Sequence, residues 1–119
     1  MIKNFDNEAP VIRAIFAFQE KFYLINQKLS KQFKYTLGQK GENLNLEILE
    51  MTVLAYRKPK IEQLPILEKI DAKLEVLRLT IRMGWELGFL KNNQMIELQK
   101  DLSAIGKMLG GWIKSRRLN

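Results

Sequence analysis

The side chains with most chemical potential in this chain are its cations, and spacing divides them into sets. Arg57, Lys58 and Lys60 surround a proline; Arg78 and Arg82 stand one helical turn apart; Lys100, Lys107 and Lys114 recur at every seventh position and lead into Arg116 and Arg117. Ammonium and guanidinium groups bind phosphate or carboxylate, and the planar fork of arginine can hold either one in two places. The plainer reading of each set is a solvated helix face, because lysines commonly lay their stems along a helix and keep their heads in water. Twenty lysines and arginines against 13 acids leave a net charge of +7, which favours a polyanion or an acidic partner.

Catalytic groupings are scarce. The chain has no histidine and no cysteine, which removes the commonest general base, thiolate chemistry, disulfides and nearly every zinc site. Its acids are spread along amphipathic segments with bases at nearby positions, and no glycine-rich phosphate loop follows a strand. No enzymatic activity, metal or cofactor is expected. The opening MIKNFDNEAP lacks an apolar stretch of signal-peptide length, and no run approaches the roughly 20 apolar residues of a membrane span. A cytoplasmic protein with no membrane partner is the expectation.

The elements that position these residues are read from periodicity. At 119 residues and 46% hydrophobic content, the chain can bury a sizeable core as one domain over 1–119. Pro10 suits the first turn of a helix, and Ile15, Phe18, Phe22, Ile25 and Leu29 then recur at steps of three and four, predicting a helix over 10–31. Phe33 and Tyr35 read as a connector tucked against the bundle end. Thr36 to Gln39 has the form of a capping box, so a second helix is expected over 36–58, with Leu37, Gly41, Leu44, Ile48, Met51 and Ala55 as its seam. Leu46, Leu49, Val53 and Tyr56 form a second apolar line that asks for another neighbour.

Pro59 interrupts the pattern, and a third helix follows over 62–90. Leu67, Ile70, Leu74, Leu77, Ile81, Gly84 and Gly88 make its buried seam, while Asp71, Glu75, Arg78, Arg82 and Glu86 make a charged stripe whose members can pair across a turn. The glycines beside Trp85 leave room for a partner helix. The fourth helix, over 93–116, carries Met95, Leu98, Leu102, Ile105, Leu109 and Trp112. With no strand-like alternation, the fold class is all-α, an antiparallel up-down four-helix bundle. Tyr56, Trp85 and Trp112 either thicken its core or cover a contact between subunits, where aromatics are enriched.

Three stretches carry a resemblance: YTLGQK (Tyr35 to Lys40), LEVLRLTIR (Leu74 to Arg82) and IGKMLGGWIKS (Ile105 to Ser115). Together they resemble the accessory variability determinant (Avd) proteins of diversity-generating retroelements, in order through helices two to four. The four-helix-bundle proteins encoded within ribosomal RNA intervening sequences are a related alternative, with a structural or nucleic-acid-binding role. The LGGWI segment favours Avd. That resemblance implies a homopentameric ring that binds the element's reverse transcriptase and template-repeat RNA, possible DNA contact included, and supports mutagenic cDNA synthesis. Leu77-Arg78 and Ile81-Arg82 match the family's paired leucine-arginine pattern, whose basic positions face the partner, and Trp112-Ile113-Lys114 matches its helix-four ending. Gly41 departs from the pattern, since an apolar residue is more usual there. Glu75 and Glu86 stand close enough in sequence to neutralise Arg78 and Arg82 in part.

Overall fold

The structure, a computed structural model, describes residues 9–118. Helix α1 (Pro10–Gln27) starts at the expected proline and buries Val11, Ile15, Phe18 and Phe22 on one face. It ends at Gln27 rather than near Lys31, because Ser30 adopts an extended conformation and its hydroxyl oxygen accepts the Phe33 N–H at 3.3 Å. That contact caps the next helix. Helix α2 therefore covers residues 31–57, through Lys31–Phe33, a π-helical turn Lys34–Gly38 and the regular stretch Gln39–Arg57.

Two expectations change here. Phe33 and Tyr35 lie on α2 and not in a connector, and Thr36 sits inside the π-helical turn, its hydroxyl donating to the Gln32 carbonyl instead of capping. The reason is burial. Phe33 is almost wholly inside the core, its ring 5.4 Å from that of Phe89, and helix must reach back to residue 31 to put it there. The π-helical turn adds one residue to a turn, so Phe33 and Gly38 both face inward at a spacing of five.

Helix α3 (Lys60–Glu86) buries Leu67, Ile70, Leu74, Leu77, Ile81 and Gly84, as its periodicity requires. Gly88 leaves the seam: its φ of +88° ends the helix, and the N–H groups of Phe89 and Leu90 turn back to the Gly84 carbonyl. Leu90 then closes the core from the turn. Helix α4 (Asn92–Arg117) begins with the Gln94 side-chain oxygen accepting the Lys91 N–H at 2.9 Å, and its buried line runs Leu98, Leu102, Ile105, Leu109, Ile113. Trp112, expected to end that line, is half-buried beside it.

Helix α1 packs on α2 and α4, and α3 packs on the same two, so the chain goes up and down around one core. Two close approaches set the spacing. A Cβ on Gly41 would fall 2.7 Å from the Phe22 ring, and one on Gly84 would fall 2.6 Å from the Phe33 ring. The space at Gly41 is thus taken by Phe22 of α1, and the space at Gly84 by Phe33 of α2, while Gly88 on the other side of Trp85 stays open. Across the other side, the Lys21 ammonium donates to Asp101 at 2.8 Å and lies 2.9 Å from Glu97, tying α1 to α4.

Gly41→Ala should lower unfolding free energy by about 1–3 kcal/mol through overpacking, despite the better helix propensity of alanine. Gly110→Ala, where a Cβ meets open space, should raise it by about 0.5–1 kcal/mol; urea titrations of both variants check the contrast. The hydrogen bonds to Asp101 and then Glu97 hold the Lys21 pKa above its usual 10.5. Its stabilisation is therefore complete below pH 10.5 and is lost as pH rises through the higher folded value. Lys21→Met should reduce the alkaline decline in stability in the same titrations.

Candidate nucleic-acid and partner interface

The antiparallel course brings the end of α2, the start of α3 and the end of α4 to one pole of the bundle. Arg57, Lys58, Lys60, Lys114, Arg116 and Arg117 meet there from separate parts of the chain. Cations at the ends of α2 and α4 face the partial negative charge of helix C-termini, which makes this a favourable place for them.

One buried side chain organises the pole. Gln63 is 5% exposed, and its amide nitrogen donates to the carbonyls of Ala55 at 2.8 Å and Lys58 at 3.1 Å. Its oxygen accepts the Trp112 indole N–H at 3.1 Å and the Arg116 Nε–H. A single amide thus joins the α2–α3 loop to the last turns of α4. Sequence reasoning passed over Gln63, although it lies four residues before Leu67 and continues the α3 seam backwards. A polar residue on a seam was the available signal.

The expected site residues divide by what holds them. Arg57, Lys58, Lys60, Lys100, Lys107 and Lys114 are exposed. Arg116 turns inward to Gln63 and to Ser115, and Arg117 reaches across to Glu68 at 2.8 Å. Arg78 is half-buried, donating to the Ser103 hydroxyl at 2.9 Å while its carbonyl accepts from Gln99. Arg82 pairs with Glu86 at 2.9 Å. Arg78 and Arg82 therefore differ: one lines the α3–α4 groove, the other stands on the surface beside an acid. That groove also carries Asp71 and Glu75 opposite Lys107, so its charge is mixed.

Both indoles have their N–H groups satisfied within the chain. Trp85 donates to the Asn92 side chain at 2.7 Å across the α3–α4 turn, and Trp112 donates to Gln63. The half-buried Trp112 and the exposed Tyr56 share an open apolar cleft of about 300 Å³ with Pro10, Val11 and Met108.

Two surface features escaped the sequence reading. Ala72, Val76, Leu79 and Met83 step by four, three and four along the outer face of α3, and the three larger side chains are 45%, 51% and 49% exposed. An apolar line turned away from the core marks a surface that another molecule can cover. The second feature is a run without acids from Lys21 to Gly41, which contains Lys28, Lys31, Lys34 and Lys40. These lysines cluster around the opposite pole, at the end of α1 and the start of α2, and none has a carboxylate within ion-pairing distance among the described residues. Their signal was the missing acids, not any motif.

Fold and surface together define an all-α protein with cations at both ends of a bundle, ion pairs along its waist and apolar side chains on its outer faces. Among the described residues, no helix is long and apolar enough to cross a membrane. A family model described as bAvd-like matches residues 11–116, from the first turn of α1 to the last turn of α4, and the chain belongs to the bAvd-like family. No curated protein matches it.

Gln63→Ala leaves the indole of Trp112 and the Arg116 guanidinium without their acceptor. It should cost roughly 1–3 kcal/mol in urea unfolding and speed tryptic cleavage after Arg57, whereas Lys60→Ala should change stability little.

Proposed function

We propose that this chain is the non-catalytic accessory subunit of a diversity-generating retroelement, acting in the cytoplasm with the element's reverse transcriptase and template-repeat RNA. The family match over all four helices carries this reading. The distribution of charge supports it. Ion pairs such as Lys73–Glu47 and Lys21–Asp101 neutralise individual lysines along the waist, while Arg57, Lys58, Lys60 and Lys114 at one pole have no ion-pair partner among the described residues. Cations left unneutralised and exposed hold RNA phosphates by charge, with arginine able to grip in two places.

Assembly supports the same reading. The exposed line Val76, Leu79 and Met83 suits a contact between copies, with Trp85 following on the same helix and Tyr56 exposed in the cleft it shares with Trp112, and a closed pentamer would multiply the +7 charge of each chain. Such a ring gathers template RNA by backbone charge and shape, and presents it to the polymerase. Arg82 on the outer surface and Arg78 in the groove meet acidic groups of that enzyme. Nothing in this mechanism asks the chain to make or break a covalent bond.

Copurification from cells expressing the element should recover the reverse transcriptase and the template RNA with the tagged chain. RNA affinity should fall steeply with salt, and Arg57→Glu with Lys60→Glu should flatten that slope by about 0.7–0.9 for each phosphate no longer neutralised. A salt-independent affinity would remove phosphate binding as its source. Val76→Glu with Leu79→Glu should reduce the mass seen by sedimentation while leaving helicity unchanged; an assembly of undiminished mass would move the contact elsewhere.

A further inference from the structure

The pole formed by the end of α1 and the start of α2 carries a recess that the accessory role does not by itself explain. It is an open depression of about 210 Å³ lined by Gln27, Lys34, Tyr35, Gln39 and Glu42. Tyr35 is presented on the π-helical turn Lys34–Gly38 and is 63% exposed, although the chain buries Phe33 two residues earlier. The Lys34 ammonium lies 5.4 Å from the centre of the tyrosine ring. Glu42 is held from beneath: its Oε2 accepts the Asn26 amide N–H at 2.8 Å, and Asn26 is fully buried. Lys28 and Lys40 directly follow the lining residues Gln27 and Gln39 in the chain, and Lys31 precedes Lys34 by three residues, in the stretch that contains no acid.

We propose that this recess binds an unpaired base of a single-stranded nucleic acid, stacked on Tyr35 with its edge towards Gln27, Gln39 and Glu42. The inference rests on the nucleic-acid reading above and specifies which form of nucleic acid this pole takes. Each group matches one part of a nucleotide. An exposed aromatic face stacks any base. Each glutamine offers a donor pair and an acceptor to a base edge, and Glu42 accepts from an exocyclic amine. The ammonium groups outside hold the flanking phosphates. A phosphate inside the recess would face the Glu42 carboxylate, so the anionic part of the ligand belongs on the rim and a neutral part inside. Paired bases in a duplex are stacked on each other and do not offer a face to Tyr35, so the recess discriminates single strands from duplexes. Placement on a π-helical turn fits, since such turns recur at functional sites.

The test uses the full chain, a short oligouridylate carrying one central 2-aminopurine, and an RNA duplex of the same length. The wild type and Tyr35→Phe should both quench 2-aminopurine fluorescence on binding. Tyr35→Ala should abolish the quench and weaken single-strand binding about tenfold, while duplex binding and helicity stay unchanged. Single-strand binding by Tyr35→Ala equal to that of the wild type overturns the recess as a base site. So does a loss of single-strand and duplex binding in equal measure, which would make Tyr35 part of a general charged or structural surface. A wild type that binds neither RNA at low salt overturns the nucleic-acid reading itself, and this inference with it.

Discussion

The bundle depends on two phenylalanine rings occupying space that a side chain would otherwise fill. Phe22 of α1 lies against Gly41 of α2, and Phe33 of α2 lies against Gly84 of α3, so α1, α2 and α3 approach in succession through ring-on-glycine contacts. Interiors are close-packed, and a ring held this near to a backbone fixes the separation of two helices more tightly than interchangeable aliphatic contacts do. The consequence reaches the surface. Burying Phe33 extends α2 back to residue 31 and requires the π-helical turn, and that turn places Lys34 and Tyr35 outward on a rigid element.

Polar contacts inside and between the helices do different work. Asn45 donates to the Ile15 carbonyl and to Gln19, pinning α2 to α1 in register, and Gln63 ties the α2–α3 loop to α4. A buried amide is costly unless its donors find partners, so each of these residues favours one relative placement of helices over sliding alternatives. Apolar seams alone specify such placement weakly, because one leucine can replace another along a stripe.

Charge follows the same division between waist and poles. Along the waist, Lys21 and Lys73 find carboxylates across helix boundaries, while Lys100 and Lys107 stand exposed. At the poles, loops and chain turns bring more cations than acids together, with Arg117 meeting Glu68 at one of them. The bundle therefore presents a belt crossed by ion pairs, on which an apolar line can be covered, between two caps rich in cations. The two caps differ in kind: one is rich in arginine and anchored by Gln63, the other carries lysines around an exposed tyrosine.

The sequence by itself determined the helical class, the central seams of all four helices and the break at Pro59, because periodicity near 3.6 residues records which face must be buried. It also carried the family words in α2, α3 and α4, and the family match spans those helices. Tertiary structure alone decided what local signals could not. Thr36 to Gln39 carried the capping-box pattern, yet the burial of Phe33 moved the cap to Ser30. Arg78 and Arg82 are alike in the sequence, yet Ser103 and Gln99, more than twenty residues away on α4, draw one into a groove while the other stays on the surface. Arg116 looked like the end of a basic line until the distant Gln63 gave it a partner. Charge and spacing are local properties, whereas exposure and neutralisation depend on which distant residue the fold places opposite.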